Sequence, residues 1–273
     1  ISIWDTSLIE DMSKLFYEKK FFNDNISKWD VSNVKNMEEI FIGCINFNQN
    51  LNEWDTSNVK IMQLMFAGCI EFNQPLNNWE VSKVENMVFM LGTCKNFNQP
   101  LNNWNVSNVI KMMGIFDGAI LFNQALDLWD VSNVEDMREM FHDCKNFNQP
   151  LNNWDISNVK LINGMFDGCE KFNQPLDNWN ISNLNDSWPF DAIKELFRNC
   201  KNFNQPLNSW DVSNIEKLES VFDGCEKFNQ PLNNWNISKV KNMKNLFRNC
   251  KNFNQDLNSW DVSDNVNMVR MFD

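Results

Sequence analysis

Histidine and tyrosine are almost missing from this chain: 273 residues hold one of each, His142 and Tyr17. General acid–base work near neutral pH falls most often to histidine, so little is left to carry it. Arginine is scarce as well, four residues against twenty lysines, and the net charge is -12. A nucleic-acid groove needs a concentrated positive field, which excludes that class. Glycine numbers only eight, and no Gly-rich phosphate loop, nucleophile elbow or paired metal-ligand motif occurs. The chain is therefore read as non-enzymatic, with no catalytic residue, cofactor or metal expected. No apolar run reaches the ~18 residues of a membrane span, and no basic-then-apolar signal segment opens the sequence.

What is plentiful is tryptophan in strict register. It recurs every 25 residues at Trp4, Trp29, Trp54, Trp79, Trp104, Trp129, Trp154 and Trp179, then at Trp210, Trp235 and Trp260 after one six-residue insertion. A fixed period of this length marks a stack of one small supersecondary unit. Residues 1–273 are expected to form a single repeat solenoid with its insertion near 186–191, between Leu184 and Ile193. The first unit is entered at Ile1-Ser2-Ile3-Trp4 and the last breaks off at Met271-Phe272-Asp273, so the chain is expected to be a fragment of a longer protein.

Counting forward from each tryptophan assigns the unit. Position +2 is β-branched in every coil, from Thr6 and Val31 to Val262, which favours a short strand with Trp and its +2 partner facing inward. Serine stands at +3 throughout, followed by apolar residues at +8, +11, +12 and +15, for example Met37, Ile40, Phe41 and Cys44. That spacing predicts one face of a helix of about nine residues, with the serine as its N-cap. Gly, Asn or Asp at +14, as at Gly43, Asp143 and Asn199, predicts a left-handed helix end. Phe-Asn-Gln, often followed by proline, then leads through a leucine at +22 to the next tryptophan, as an extended return leg.

Nine positions per coil thus face inward. Burying each large one contributes about 1.5 to 3 kcal/mol, whereas ordering the backbone costs about 1 to 2 kcal/mol per residue. One coil cannot stand alone, so its neighbours must supply the remainder by stacking.

Leu76-Asn77-Asn78-Trp79-Glu80-Val81 fits the L-x-x-L-x-L spacing of leucine-rich-repeat strands. The fuller unit, Phe-Asn-Gln-Pro-Leu-Asn-Asn-Trp-Asp-Val-Ser-Asn-Val and then Met-x-x-Met-Phe-x-x-Cys, resembles the BspA-type surface-protein repeat over essentially the whole chain. That family occurs in bacterial lipoproteins and surface proteins, mycoplasmas especially, and in large DNA viruses. The resemblance implies an α/β, leucine-rich-repeat-like solenoid of about eleven coils, each with a short strand, a short helix and an extended return leg. It also implies a location at a cell surface or in a virus particle; reduced cysteines would equally suit the cytoplasm. The cysteines here, where mycoplasma members tend to carry alanine, bring this version nearer the viral or protist branch.

Several rows of identical residues invite a functional reading. Cysteine fills +15 in eight coils, with Ala119 interrupting; small reduced core thiols are the leading reading, with disulfides between coils and a metal as alternatives. The Asn-Gln pairs are read as amides stacked between coils, each satisfying its neighbour. Position +1 is acidic in eight coils, including Asp30, Asp55, Glu80, Asp130, Asp155 and Asp211, and these six are the candidate binding residues on a concave strand face. A row of like charges suits a basic protein partner or cation, unless the carboxylates merely cap the following turn. Trp188 and Phe190 of the insertion are a second candidate contact, or else a packed bulge. The N-x-S sequons at Asn25, Asn105, Asn180, Asn185 and Asn236 follow largely from the repeat. The expected function is a non-enzymatic interaction or surface-display scaffold; the alternative is a structural component packed into a larger assembly such as a virus particle.

Overall fold

The nine inward positions of the repeat decide the fold, because a 25-residue coil must turn often enough to point all of them at one axis. In the computed structural model, which describes residues 1–186 and 191–273, they do so. In the Trp54 coil, Trp54, Thr56, Val59, Met62, Met65, Phe66, Cys69, Phe72 and Leu76 are each 3% exposed or less. Equivalent residues of successive coils join in one continuous apolar core. Aromatic rings form three files along the stack. Trp54 and Trp79 lie 6.4 Å apart at 4°, Phe141 and Phe166 5.7 Å apart at 8°, and Phe72 and Phe97 5.9 Å apart at 1°. Offset stacking at such separations adds about 0.5 to 1.5 kcal/mol per pair beyond area burial.

The expected strand and helix are not formed; among the described residues the coil is a succession of turns. At the tryptophan the reason is local. The Trp54 amide donates to the Leu51 carbonyl three residues back at 3.0 Å, and Val59 does the same to Thr56 at 2.9 Å. With its amide spent inside a turn, the tryptophan cannot join a lateral ladder. Single-residue parallel bridges do tie the coils, but seven residues later, through Asp11, Asn36, Ile61, Asn86, Lys111, Asp136 and Leu161, then Lys217, Asn242 and Asn267.

The expected helix fails at +10. That residue has positive φ in every coil, as at Glu39 (56°), Leu64 (55°), Gly114 (59°) and Glu139 (55°), and so does +14, as at Gly43 (70°) and Asn199 (60°). Among the described residues every positive φ falls at one of these two positions. A left-handed residue in mid-segment ends any helix, so the amides divide. Those of +8, +10, +12 and +14 cross to the next coil: Met62 to Asn86 O, Leu64 to Val88 O, Phe66 to Met90 O and Gly68 to Gly92 O, at 2.8 to 3.0 Å. Those of +11, +13 and +15 close turns within the coil, as from Cys69 to Phe66 O at 2.9 Å. The i, i+3, i+4 apolar spacing serves this arrangement as well as it serves a helix. The left-handed +14 position stands as expected.

The Asn-Gln ladder is built as expected too. Asn98 Oδ1 accepts from the Asn123 amide at 2.9 Å and from Gln124 Nε2 at 3.1 Å, and the pattern persists to Asn254 and Gln255. From Trp79 to Trp260 each indole of the tryptophan file donates to a leucine carbonyl one coil back, Trp154 to Leu126 O at 3.0 Å, and Trp29 and Trp54 use Ile1 O and Ile26 O in the same way. Across the insertion these contacts continue unchanged: Trp210 Nε1 reaches Leu176 O at 2.9 Å and Asn204 N reaches Asn173 Oδ1 at 2.8 Å. Among the described residues one edge differs. There Asp186 Oδ2 accepts from the Glu216 and Lys217 amides at 2.7 and 2.9 Å, where the regular coil uses a backbone carbonyl, as Lys60 does with Lys35 O at 2.9 Å.

All eight cysteines are free thiols, seven of them buried. Each Sγ–H donates to the carbonyl of a phenylalanine one coil back, Cys144 to Phe116 O at 2.9 Å. Burial pushes the thiols up, to about 11 at Cys44 and about 12 at Cys250. Thiolate is the reactive form, so an alkylating probe should label the native protein slowly, with the half-buried Cys250 first, and all eight sites after denaturation without reductant. A count below eight in the denatured, unreduced protein would show that disulfides form.

Candidate functional site

The +1 residues lie on one face, at equivalent positions of successive coils. Asp30, Asp55, Glu80, Asp130, Asp155 and Asp211 are all exposed. Each also caps its own turn, because the serine two residues on presents an otherwise unpaired amide. Asp30 Oδ1 accepts from Ser32 N at 3.0 Å and Ser32 Oγ at 2.6 Å; Asp130 does likewise with Ser132, and Glu80 reaches Ser82 N at 2.9 Å. The serine is thus a donor in a carboxylate-closed turn and not a helix cap. The hydroxyl first, and then the serine amide, hold Asp5, Asp30, Asp155 and Asp211 below the ordinary carboxylate range, while Asp5 pushes Asp30 slightly back. Asn105 accepts the same two bonds from Ser107, so an amide closes the turn without the charge. Asn180 does so between Asp155 and Asp211.

Around this row the surface is also fixed by hydrogen bonds. At +4, Asn33, Asn58 and Asn133 donate through Nδ2 to the serine carbonyl one coil back, at 2.7 Å each. A shallow depression lined by Asn152, Asn153, Asp155, Asn178 and Asn180 opens on the same face. The arrangement presents carboxylate, amide and hydroxyl groups at a repeated interval along one exposed face. Trp188 and Phe190 lie outside the described residues.

A second constellation went unread in the sequence. From the Trp104 coil onward, position +13 carries Asp117, His142, Asp167, Arg198, Asp223, Arg248 and Asp273. Carboxylate and nitrogen base alternate coil by coil. Asp167 and Asp223 are 4% and 3% exposed. Arg198 Nε donates to Asp167 Oδ2 at 2.9 Å with its Nη2 closing the fork, and Arg248 Nε donates to Asp223 Oδ1 at 3.0 Å. Three positions on, Lys201 meets Glu170 and Lys251 meets Glu226, both at 2.9 Å. The signal was present as Phe-Asp-Gly-Cys alternating with Phe-Arg-Asn-Cys, a period of two coils. The same alternation governs +14, where the Cβ of a residue replacing Gly168 would fall 2.4 Å from Asp143 Oδ1. Among the described residues no group of His, Cys, Asp and Glu could hold a metal ion, and no helix is long and apolar enough to cross a membrane.

A family described as "Mycoplasma protein of unknown function, DUF285" matches residues 1–104, 87–190 and 190–273. Among solved structures, a leucine-rich repeat protein from Bacteroides ovatus ATCC 8483 is similar at 14% identity and a TM-score of 0.31, over 84% of this chain and 70% of that one. So slight a superposition carries no argument. No curated protein matches the chain.

Proposed function

The chain belongs to the DUF285 family, the BspA-like repeats that its unit resembles, and on that premise we propose that it is a non-enzymatic scaffold that takes a basic protein partner along its +1 face. One observation supports this reading above others. The acidic side chains are exposed in every coil that carries them, yet from Asp5 to Asp211 each is held by its serine, so a partner meets an ordered row without the cost of ordering it.

Asparagine separates charge from capping, because it keeps the turn-closing oxygen. The variant Asp30→Asn/Asp55→Asn/Asp130→Asn/Asp155→Asn is expected to retain its thermal midpoint, as Asn105 and Asn180 already close the same turn. Binding of a fluorescent oligolysine should weaken severalfold and lose part of its salt dependence. An isocharged control, Glu38, Glu71, Glu85 and Glu135 changed to glutamine, should bind far more nearly like the parent. Equal losses in both variants would reduce the effect to net charge and sink the row as a recognition surface.

A further inference from the structure

His142 occupies the place in the +13 row that Arg198 and Arg248 occupy further along. Its ring lies between two carboxylates, with Nδ1 2.5 Å from Asp117 Oδ1 on the preceding coil and Nε2 3.7 Å from Asp167 Oδ2 on the following one. Asp143 stands beside it in the chain, and Arg198 pairs with Asp167 from the far side. A neutral imidazole has one donor and one lone pair. Whichever tautomer it adopted, that lone pair would face a carboxylate oxygen. Only the imidazolium presents an N–H to both neighbours.

We propose that His142 is a fixed cation of the folded stack, protonated throughout the neutral range, and that the junction of the Trp104, Trp129 and Trp154 coils is where base first opens the solenoid. Three carboxylates, Asp117, Asp143 and Asp167, converge there, and Asp167 is paired with Arg198 as well. The Asp117 hydrogen bond, outweighing burial, lifts the imidazole to about 9. The sign follows from linkage. A base whose pKa rises on folding stabilises the fold fully below its unfolded value, near 6.5, and that stabilisation disappears as pH climbs through about 9.

Because His142 is the only histidine, its ring resonances in the intact protein need no assignment variant. An NMR titration should give a midpoint above about 8; a midpoint at or below about 6.5, the ordinary histidine value, overturns the proposal. The opening is tested by His142→Arg, which installs the cation used at Arg198 and Arg248 and cannot lose its proton in this range. The Gly118 amide donates to His142 O and the Asp143 amide to Asp167 O, both at 2.7 Å. At one pH near 10, hydrogen exchange at these two amides should be roughly tenfold slower in His142→Arg than in the parent, with no such difference near pH 6. Equal exchange at both pH values would overturn the weak-junction assignment. Should the arginine variant fail to fold, the titration of the parent still decides whether the histidine is charged.

Discussion

Replacing Trp154 with alanine should destabilise the protein by about 3 to 5 kcal/mol, the usual range for truncating a buried large aromatic. Three losses combine. The ring is 4% exposed and stacks on Trp129 at 6.5 Å and on Phe141 at 6.4 Å. Its indole N–H leaves with it, so Leu126 O loses its donor at 3.0 Å. The Trp129 and Trp154 coils are also locked above and below, which leaves little room for the walls to collapse into the hole. Urea unfolding of parent and variant, read by far-UV circular dichroism, measures the difference. A midpoint within error of the parent's would mean that the tryptophan file does not hold the stack. Trp154→Phe, which keeps a ring but no donor, should fall between the two.

The second large effect is expected at Asp223→Ala. Its carboxylate, 3% exposed, accepts from Arg248 Nε at 3.0 Å, Arg248 Nη2 at 2.5 Å and Asn249 Nδ2 at 3.3 Å. Stripping the partner from a fully buried pair costs about 3 to 5 kcal/mol. Arg248 retains 34% of its side-chain exposure and can turn toward water, so about 2 to 3 kcal/mol is expected after allowance for that screening. A double-mutant cycle with Arg248→Ala apportions the loss. The double variant should be less destabilised than the sum of the singles by about 1 to 2 kcal/mol. Strict additivity would show that the two side chains do not interact energetically, whatever their distance.

Much of this architecture is legible in the amino-acid sequence. A 25-residue period makes each position an experiment repeated about eleven times, so the inward set from Trp54 to Leu76 can be read from apolar recurrence alone. The Asn98-to-Asn123 ladder follows from uniformity, because an amide kept in every coil is most simply explained by its neighbour's amide. Secondary structure is another matter. Met37, Ile40 and Phe41 have helical spacing, yet consecutive turns bring the same three residues inward. The deciding residue, Glu39 with φ of 56°, is of a type that favours right-handed helix. Its left-handed backbone is imposed by lateral pairing, since Glu39 N donates to Gln63 O at 2.9 Å in the next coil. Among the described residues Gly114, Gly164 and Asn245 alone mark the position in the sequence. The alternating charges were readable and were missed for a different reason. Comparing every coil with one consensus averages Asp167 against Arg198, and the average is an unremarkable polar site.

At the candidate site, the row, its exposure and the capping of the following turn by its carboxylates could be inferred, whereas the serine's part in that turn could not. Position +3 was equally suited to capping a helix or to closing a turn on Asp30, and the choice depends on a backbone that lies beyond the serine.

The carboxylate of Asp186, standing in for a backbone carbonyl beneath Glu216 and Lys217, has a consequence for engineering and for descent. It decouples the length of a coil from its register. Because the tryptophan file, the asparagine ladder and the thiol contacts all pass the insertion without adjustment, the edge between +5 and +8 behaves as a port into which chain can be spliced. Two acidic side chains at its rim, Asp186 on the Glu216 and Lys217 amides and Asp191 on the Lys217 ammonium, seat the next coil. Variation entering there alters what the rod displays while the rod itself goes on adding identical rungs.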